Sequence, residues 1–497
     1  MEELIKNKIF KFLFWIFILI SIIHIAYAIY TNRGMYMDAS YYILTQLCNL
    51  AQNKYTIIID SYHTRFFIMG LLQIPVMLAY LIGIKSKFFL MGLYSFAQVG
   101  FPFLFLLCNY FLTKRTQRTD VLAGNIFCYG AVLCLFMIFG VVETLIGTTL
   151  NFILWNYLSA KMNYKKNDIF FIVLLLIIMF GTYESTIYTG ILFFIAHFLY
   201  VAREENKFNR TIKRVIGYGS LLAAIFDIVY MFMVPDEDGE IYRFIDEAVN
   251  FIPYSLNLNV LMSIIAVIFI ILFLFKKKNI GIWSLLLILS AFAGAFTYLL
   301  LIPEKSIDPM LESHCRTISC YVPFFILVGL FIKDLINKEP NTSRINNIIC
   351  IALVCCIFQT FWQIVETYYW DINIQYMKNE LKQEKGLLYF PAEHEEISSF
   401  YNKDLRRHIW HSTYSALSVL FSEDYELKTL LMVYPEEVEP GNHIESELLY
   451  VYNNGEEDFL VVPYGSHLPL KTKFWDVTKC AEALREYNKE HNINQNQ

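Results

Sequence analysis

Apolar positions in this chain gather into runs of about twenty residues, the length that crosses a bilayer core. They fall at roughly 9–30, 67–84, 88–112, 121–142, 144–160, 168–183, 187–202, 213–234, 256–275, 281–302, 317–336 and 345–368. Such runs predict helices whose backbone groups bond within the segment, as lipid requires. The pattern therefore predicts an all-α polytopic membrane protein, and the polar connections decide how it is threaded.

Lys and Arg between spans mark the cytoplasmic side. The connections Lys114-Arg115-Thr116-Gln117-Arg118, Lys161 with Lys165-Lys166, Arg203 to Arg214, Lys276-Lys277-Lys278 and Lys333 to Arg344 are basic. They alternate with connections poor in Lys and Arg, around Glu143, around Glu184, at 235–253 and at 303–316. One orientation satisfies all of these and also keeps Lys6, Lys8 and Lys11 inside. It requires that segment 67–84, with Gln73 and Pro75 in mid-run, is re-entrant and lies on the outer side. The expectation is about eleven spans, with the N-terminus in and the C-terminus out. A cleaved signal peptide ending near Ala26-Tyr27-Ala28 is the rival reading of the N-terminus. The length of its apolar run favours an uncleaved first span.

Composition agrees with this class. The chain has 497 residues, 56% hydrophobic and only 17% charged, with mean hydropathy +0.44. That is too little charge to cover a soluble protein of this length. The net charge of −5 carries little information here. No basic tail or basic–aromatic stripe supports nucleic-acid binding. Heavy use of Ile, Asn, Lys and Tyr hints at a bacterial source. Of the ten cysteines, Cys108, Cys128, Cys134, Cys350, Cys355 and Cys356 sit in apolar runs and read as small hydrophobes. Cys315 and Cys320 form a close pair near an outer loop and leave a disulfide open. No metal-ligand spacing is present.

The polar segments add detail. The outer loop 31–66 contains an amphipathic stretch at 41–50, expected along the membrane surface. An acidic loop at 235–253 carries a short helical pattern at 241–249. The domain division expected is 1–370 for the membrane part and 371–497 for a small extracytoplasmic α/β domain. That domain has β-type runs at 386–390, 427–434, 448–452 and 459–464, and helical patterning at 374–385 and 478–489.

Ionisable residues collect at the predicted outer ends of the spans, where they are costly. Asp38 follows the first span. Asp60, His63 and Arg65 lie in Asp60-Ser61-Tyr62-His63-Thr64-Arg65. Glu143 and Glu184 occupy hairpin turns, Asp227 sits within a span, and Glu312, His314 and Arg316 mark the mouth of a late span. Carboxylates, a histidine and arginines there suit an anionic headgroup and a transferred proton. Each also has a plain reading. Asp38 suits an ordinary loop, Glu143 and Glu184 suit helix N-termini, His63 a structural role, Arg316 snorkelling to headgroups, and Asp227 a structural acceptor.

The layout resembles the GT-C superfamily of membrane glycosyltransferases. Met37-Asp38-Ala39-Ser40-Tyr41-Tyr42 falls where that family keeps an acidic catalytic residue in a long outer loop. His63 to Arg65 leading into a re-entrant helix is similar to that loop. Glu312-Ser313-His314-Cys315-Arg316, followed by Tyr321-Val322-Pro323-Phe324, is similar to the late-span arginine region. Ala39 stands where the family often pairs a second acid with the first. The resemblance implies a polyprenyl-phosphate-linked sugar donor, an inverting displacement, and a glycan, lipid or protein acceptor at the cell membrane. It implies Asp38 as general base. Arg316, with Arg65, would stabilise the departing lipid phosphate. Glu143 and Glu184 would hold sugar hydroxyls or help bind a metal ion, with no obligatory metal or other cofactor expected. Other readings stay open: a lipid-linked oligosaccharide flippase, a polysaccharide polymerase of another kind, and an assembly protein.

Overall fold

The computed structural model describes residues 7–36, 38–51, 53–58, 65–139, 142–182, 185–233, 309–336 and 342–382, four strand segments between 444 and 473, and the single positions Leu4, Leu417, Leu420 and Phe421. The predicted segments 256–275 and 281–302, the helical patterns at 241–249 and 478–489, and the β-type runs at 386–390 and 427–434 lie outside these residues.

The membrane part is helical. In chain order the helices are α1 (Lys8–Thr31), α2 (Asp38–Ala51), α3 (Phe66–Leu81), α4 (Lys87–Thr116), α5 (Thr119–Phe139), α6 (Val142–Ser159), α7 (Lys166–Met179), α8 (Ser185–Ala202), α9 (Lys207–Met233), α10 (Pro309–Leu335) and α11 (Thr342–Lys382). A 3-10 turn, Arg33–Met35, joins α1 to α2. Among the described residues five stretches are long and apolar enough to cross a membrane: Lys8–Thr31, Lys87–Thr116, Ser185–Ala202, Lys207–Met233 and Ile345–Asn379. Their outward faces are apolar, as at Phe12, Trp15 and Leu19 on α1 and Leu222, Val229 and Phe232 on α9. Water would not tolerate such continuous faces, whereas lipid does.

The helical residues form two compact units that do not follow chain order. One takes 1–26, 59–72 and 96–364; the other takes 27–58, 73–95 and 365–497.

In the first unit, α8 and α9 pair closely through small residues. A Cβ on Gly190 would stand 2.4 Å from the Ser220 carbonyl oxygen and 2.9 Å from Ala224 Cβ. Small residues let helix backbones approach in this way. Gly190→Leu is therefore expected to separate the pair and cost about 1–3 kcal/mol through overpacking, read as a lower SDS-unfolding midpoint. An unchanged midpoint would mean the helices part at no cost. Within the same unit α11 joins α5, where Gln363 Nε2 donates to the Leu133 carbonyl at 2.8 Å and the Cys356 thiol to that of Ile126 at 3.2 Å.

Helix α3, whose residues from Gln73 on belong to the second unit, is 16 residues long with Pro75 inside it, about 24 Å at helical rise against a core of about 30 Å. Gln73 explains its own place in an apolar run. Its amide accepts from the Ile58 N–H at 2.8 Å and donates to the Ile58 carbonyl at 2.7 Å. Its backbone carbonyl accepts from Gln46 Nε2 of α2 at 3.2 Å. The amphipathic stretch 41–50, expected along the membrane surface, is instead enclosed. Residues 39–46 of α2 are all buried, so α2 is covered by protein rather than spread on a membrane surface.

Helix α11 also departs from expectation. The apolar run ends near 368, yet the helix continues unbroken to Lys382. The added residues include helix-favouring Gln, Met, Lys, Glu and Leu, and no Gly or Pro appears before Gly386. Its 41 residues span about 60 Å, twice the bilayer core. Beyond it, β1 (Ile444–Ser446), β2 (Leu449–Asn453), β3 (Asp458–Pro463) and β4 (Leu470–Lys473) form an antiparallel meander in sequence order. The register sets Tyr450 opposite Val462 and Val461 opposite Leu470. β2 and β3 overlap the predicted runs 448–452 and 459–464, whose aromatic and β-branched residues suit strands.

Candidate functional site

The second unit is built around a buried arginine. α1 ends at Thr31, and Asn32 adopts the left-handed conformation (φ 53°) that starts the 3-10 turn. Gly34 then passes against α4, its N–H donating to Ser95 Oγ at 3.1 Å. A Cβ there would stand 2.6 Å from Ser95 Cα, so the glycine permits the approach. The turn carries Arg33 inward until it is 1% exposed. Its guanidinium carbon lies 4.9 Å from the Tyr36 ring centre and 5.4 Å from that of Trp370, within cation–π range. Trp370 donates its indole N–H to the Thr31 carbonyl at 3.0 Å and meets Tyr36 edge-on at 5.8 Å. Burial draws the Arg33 pKa down to about 10, against the opposing influence of Tyr36 and the buried Glu366. The group remains a cation at neutral pH. Phe421 and Lys378 extend the cluster, with Phe421 6.3 Å from Trp370 and Lys378 Nζ 5.4 Å from the Phe421 ring.

Asp38 opens α2 just beyond this turn, where a carboxylate is favoured by the helix dipole. The other predicted residues divide. Arg65, half-buried, and Glu143, half-buried in the first turn of α6, belong to the first unit. Glu312, His314 and Arg316 lie in the opening turns of α10, in that unit as well. Cys315 and Cys320 are on the same helix. Asp60, His63 and Glu184 lie outside the described residues. Asp227 is fully buried and accepts the Gly181 N–H at 3.1 Å. Gly181 has φ 62° just past the end of α7, so the carboxylate secures the turn that leads into α8. Among the described residues no group of three His, Cys, Asp or Glu side chains is placed to hold a metal.

The first unit holds a second ionic centre, at the helix ends that carry the basic connections. Arg118 grips Asp120 through Nε at 3.0 Å and Nη2 at 2.9 Å, Asp334 at 2.8 Å, and the Ser159 carbonyl at 3.2 Å. Lys333 bonds to Asp120 and lies 3.5 Å from Asp334. Tyr200 donates to Asp334 Oδ2 at 2.7 Å, and Arg203 to the Asp334 carbonyl at 2.7 Å. Burial works against the Arg118 charge, but Asp120 and Asp334 outweigh it and raise its pKa. Two flanking pairs continue the pattern. Arg115 forks onto Asp168 at 2.7 and 2.8 Å, and Lys213 meets Glu204 at 3.0 Å. Burial raises the Glu204 pKa, but its bond to Lys213 and further hydrogen bonds reverse this and hold it low.

Comparison with family models, curated proteins and solved structures finds no match to this chain.

Neither ionic centre was singled out by sequence reasoning as a site. Arg33 reads in sequence as a flanking cation at the end of a span. The visible signal was Glu366, a carboxylate inside the last apolar run that requires polar company.

Proposed function

We propose that this chain is a multi-pass membrane glycosyltransferase of GT-C type, with about eleven spans, its N-terminus cytoplasmic and its C-terminal α/β domain extracytoplasmic. The observation that carries the reading is the packed turn after the first membrane-capable helix, where the caged Arg33 leads directly into α2, which begins at Asp38 and is tied further along, at Gln46, to Gln73 of α3. A general base must be fixed relative to its substrate, and this segment supplies a fixed support.

In the proposed reaction an acceptor hydroxyl oxygen bonds to the anomeric carbon of a polyprenyl-phosphate-linked sugar. The bond to the lipid phosphate oxygen breaks, and its electron pair leaves with the phosphate. Asp38 takes the hydroxyl proton as the new bond forms. Arg316, with Arg65, offsets the charge on the leaving phosphate. Glu143, Glu184, Asp60, His63, Glu312 and His314 contact sugar or headgroup. No metal is required.

Asp38→Asn keeps the shape and removes the basicity. It is expected to lower transfer by about 10²–10⁴-fold, read as loss of one sugar from cell-envelope glycans while insertion and abundance stay normal. The wild-type reaction is expected to survive chelator. Normal glycans in the variant would exclude Asp38 as the base.

A further inference from the structure

The interior of the first unit is polar for a membrane bundle. Asn156 donates to Asn109 at 2.8 Å and to Thr113 at 3.0 Å, and Asn151 to Thr189 at 3.4 Å. Asn125 of α5 is fully buried, and among the described residues both of its amide atoms are without a hydrogen-bond partner. Buried amides of this kind call for water or a polar guest. Access to such an interior depends on which ends of the helices can part.

At the basic end they are tied together. Arg118, on the short α4–α5 connection, joins the start of α5 through Asp120, the end of α10 through Asp334 and the end of α6 through the Ser159 carbonyl. Asp334 in turn receives Tyr200 from the end of α8, and Arg203 closes over its carbonyl. The two carboxylates are matched by Arg118 and Lys333, and Asp120 and Lys333 are 2% and 3% exposed at their side chains. Arg115–Asp168 and Lys213–Glu204 fasten α7 and α9 alongside. A desolvated ion network is no better for stability than apolar packing, and its best-attested use is to fix one arrangement among alternatives.

We propose that the Arg118–Asp120–Lys333–Asp334 network is a clamp that holds the basic end of the bundle shut, so that water reaches the polar interior from this end only when the network opens. Which side of the membrane the clamp faces follows the topology proposed above, and the clamp itself does not depend on the glycosyltransferase chemistry.

Ser159 is a suitable reporter because it is 7% exposed and its carbonyl is gripped by Arg118. The test uses the full chain in membrane vesicles of both orientations, with Ser159→Cys and a membrane-impermeant maleimide, after subtraction of labelling in the parent. With the network intact the new thiol is expected to be inert from either side. Asp334→Asn removes one of the two carboxylates and leaves Asp120 to both cations. It is expected to raise labelling at Ser159→Cys by at least about tenfold in inverted vesicles only, because removing a partner strands buried charge. Cys128, buried in α5, should stay unlabelled.

No rise at Ser159→Cys from either side would overturn the clamp, and so would equal labelling of Cys128, which would mean general unfolding. A rise confined to right-side-out vesicles would support the clamp and overturn the proposed topology. Because the readout is labelling, the clamp can fail while Asp38 retains its role, and the reverse.

Discussion

Asp120→Ala is expected to destabilise the helical bundle by about 3–5 kcal/mol, the range found when one member of a buried ionic set is removed. Asp120 is 2% exposed and bonds to both Arg118 and Lys333. Its loss leaves two cations sharing Asp334. Arg118 keeps the Ser159 carbonyl at 3.2 Å, but Lys333 loses its closest carboxylate. The position adds a smaller effect, since a carboxylate in the first turn of α5 also offsets the helix dipole. The measurement is the unfolding free energy by SDS titration in mixed micelles.

A second substitution separates charge stranding from lost packing. Asp120→Ala with Lys333→Met removes the cation left behind and keeps an apolar stem in the same space. If stranded charge dominates, the double variant recovers most of the loss, and the cycle gives a coupling above about 1 kcal/mol. A loss below about 1 kcal/mol in Asp120→Ala alone would instead place this network with solvent-screened surface pairs.

Why the sequence predicted the helices and missed this network has a physical basis. Hydropathy is local, so the runs at 88–112, 187–202 and 213–234 locate α4, α8 and α9 to within a few residues at most ends. Ion pairing is not local, since Arg118 and Asp334 are 216 positions apart. In sequence these residues serve as markers of a basic connection, and Asp120 and Asp334 appear as minor exceptions among the lysines. The amphipathic pattern of α2 was legible but ambiguous, because a polar face suits protein amides as well as headgroups. Gln46 and Asn49 meet Gln73 and Thr56, partners in segments the pattern treated separately. Gln73 and Asp227 stand out as polar residues in apolar runs, and each has a structural partner, Ile58 and Gly181 respectively. The overrun of α11 was legible as helical patterning at 374–385. What hid its continuity was the fall in hydropathy after Tyr369, because the end of an apolar run is not the end of a helix.

Arg33→Ala is expected to have the largest effect on the segment that follows α1. The side chain fills a fully enclosed site between Tyr36 and Trp370, and its removal leaves a cavity against two rings and takes a cation away from the buried Glu366. Loss of about 3–5 kcal/mol follows from the buried charge alone. The loss should be local, because the same cluster secures the end of α1 through the Trp370–Thr31 bond and positions the turn before Asp38. Limited proteolysis reads such local opening when cleavage is slow relative to reclosing, and faster cleavage within 31–58 is expected, with the α8–α9 pair unaffected. On the proposed function, sugar transfer falls with it, although Arg33 is too buried to touch substrate and acts by positioning α2. Arg33→Lys keeps the charge but not the planar group that lies over the rings, and it should fall between wild type and Arg33→Ala in both cleavage and transfer. If Arg33→Ala cleaves and transfers as wild type does, the cage does not fix α2, and Asp38 must be held by other contacts. If cleavage rises while transfer persists, the segment is anchored as described but Asp38 is not the base.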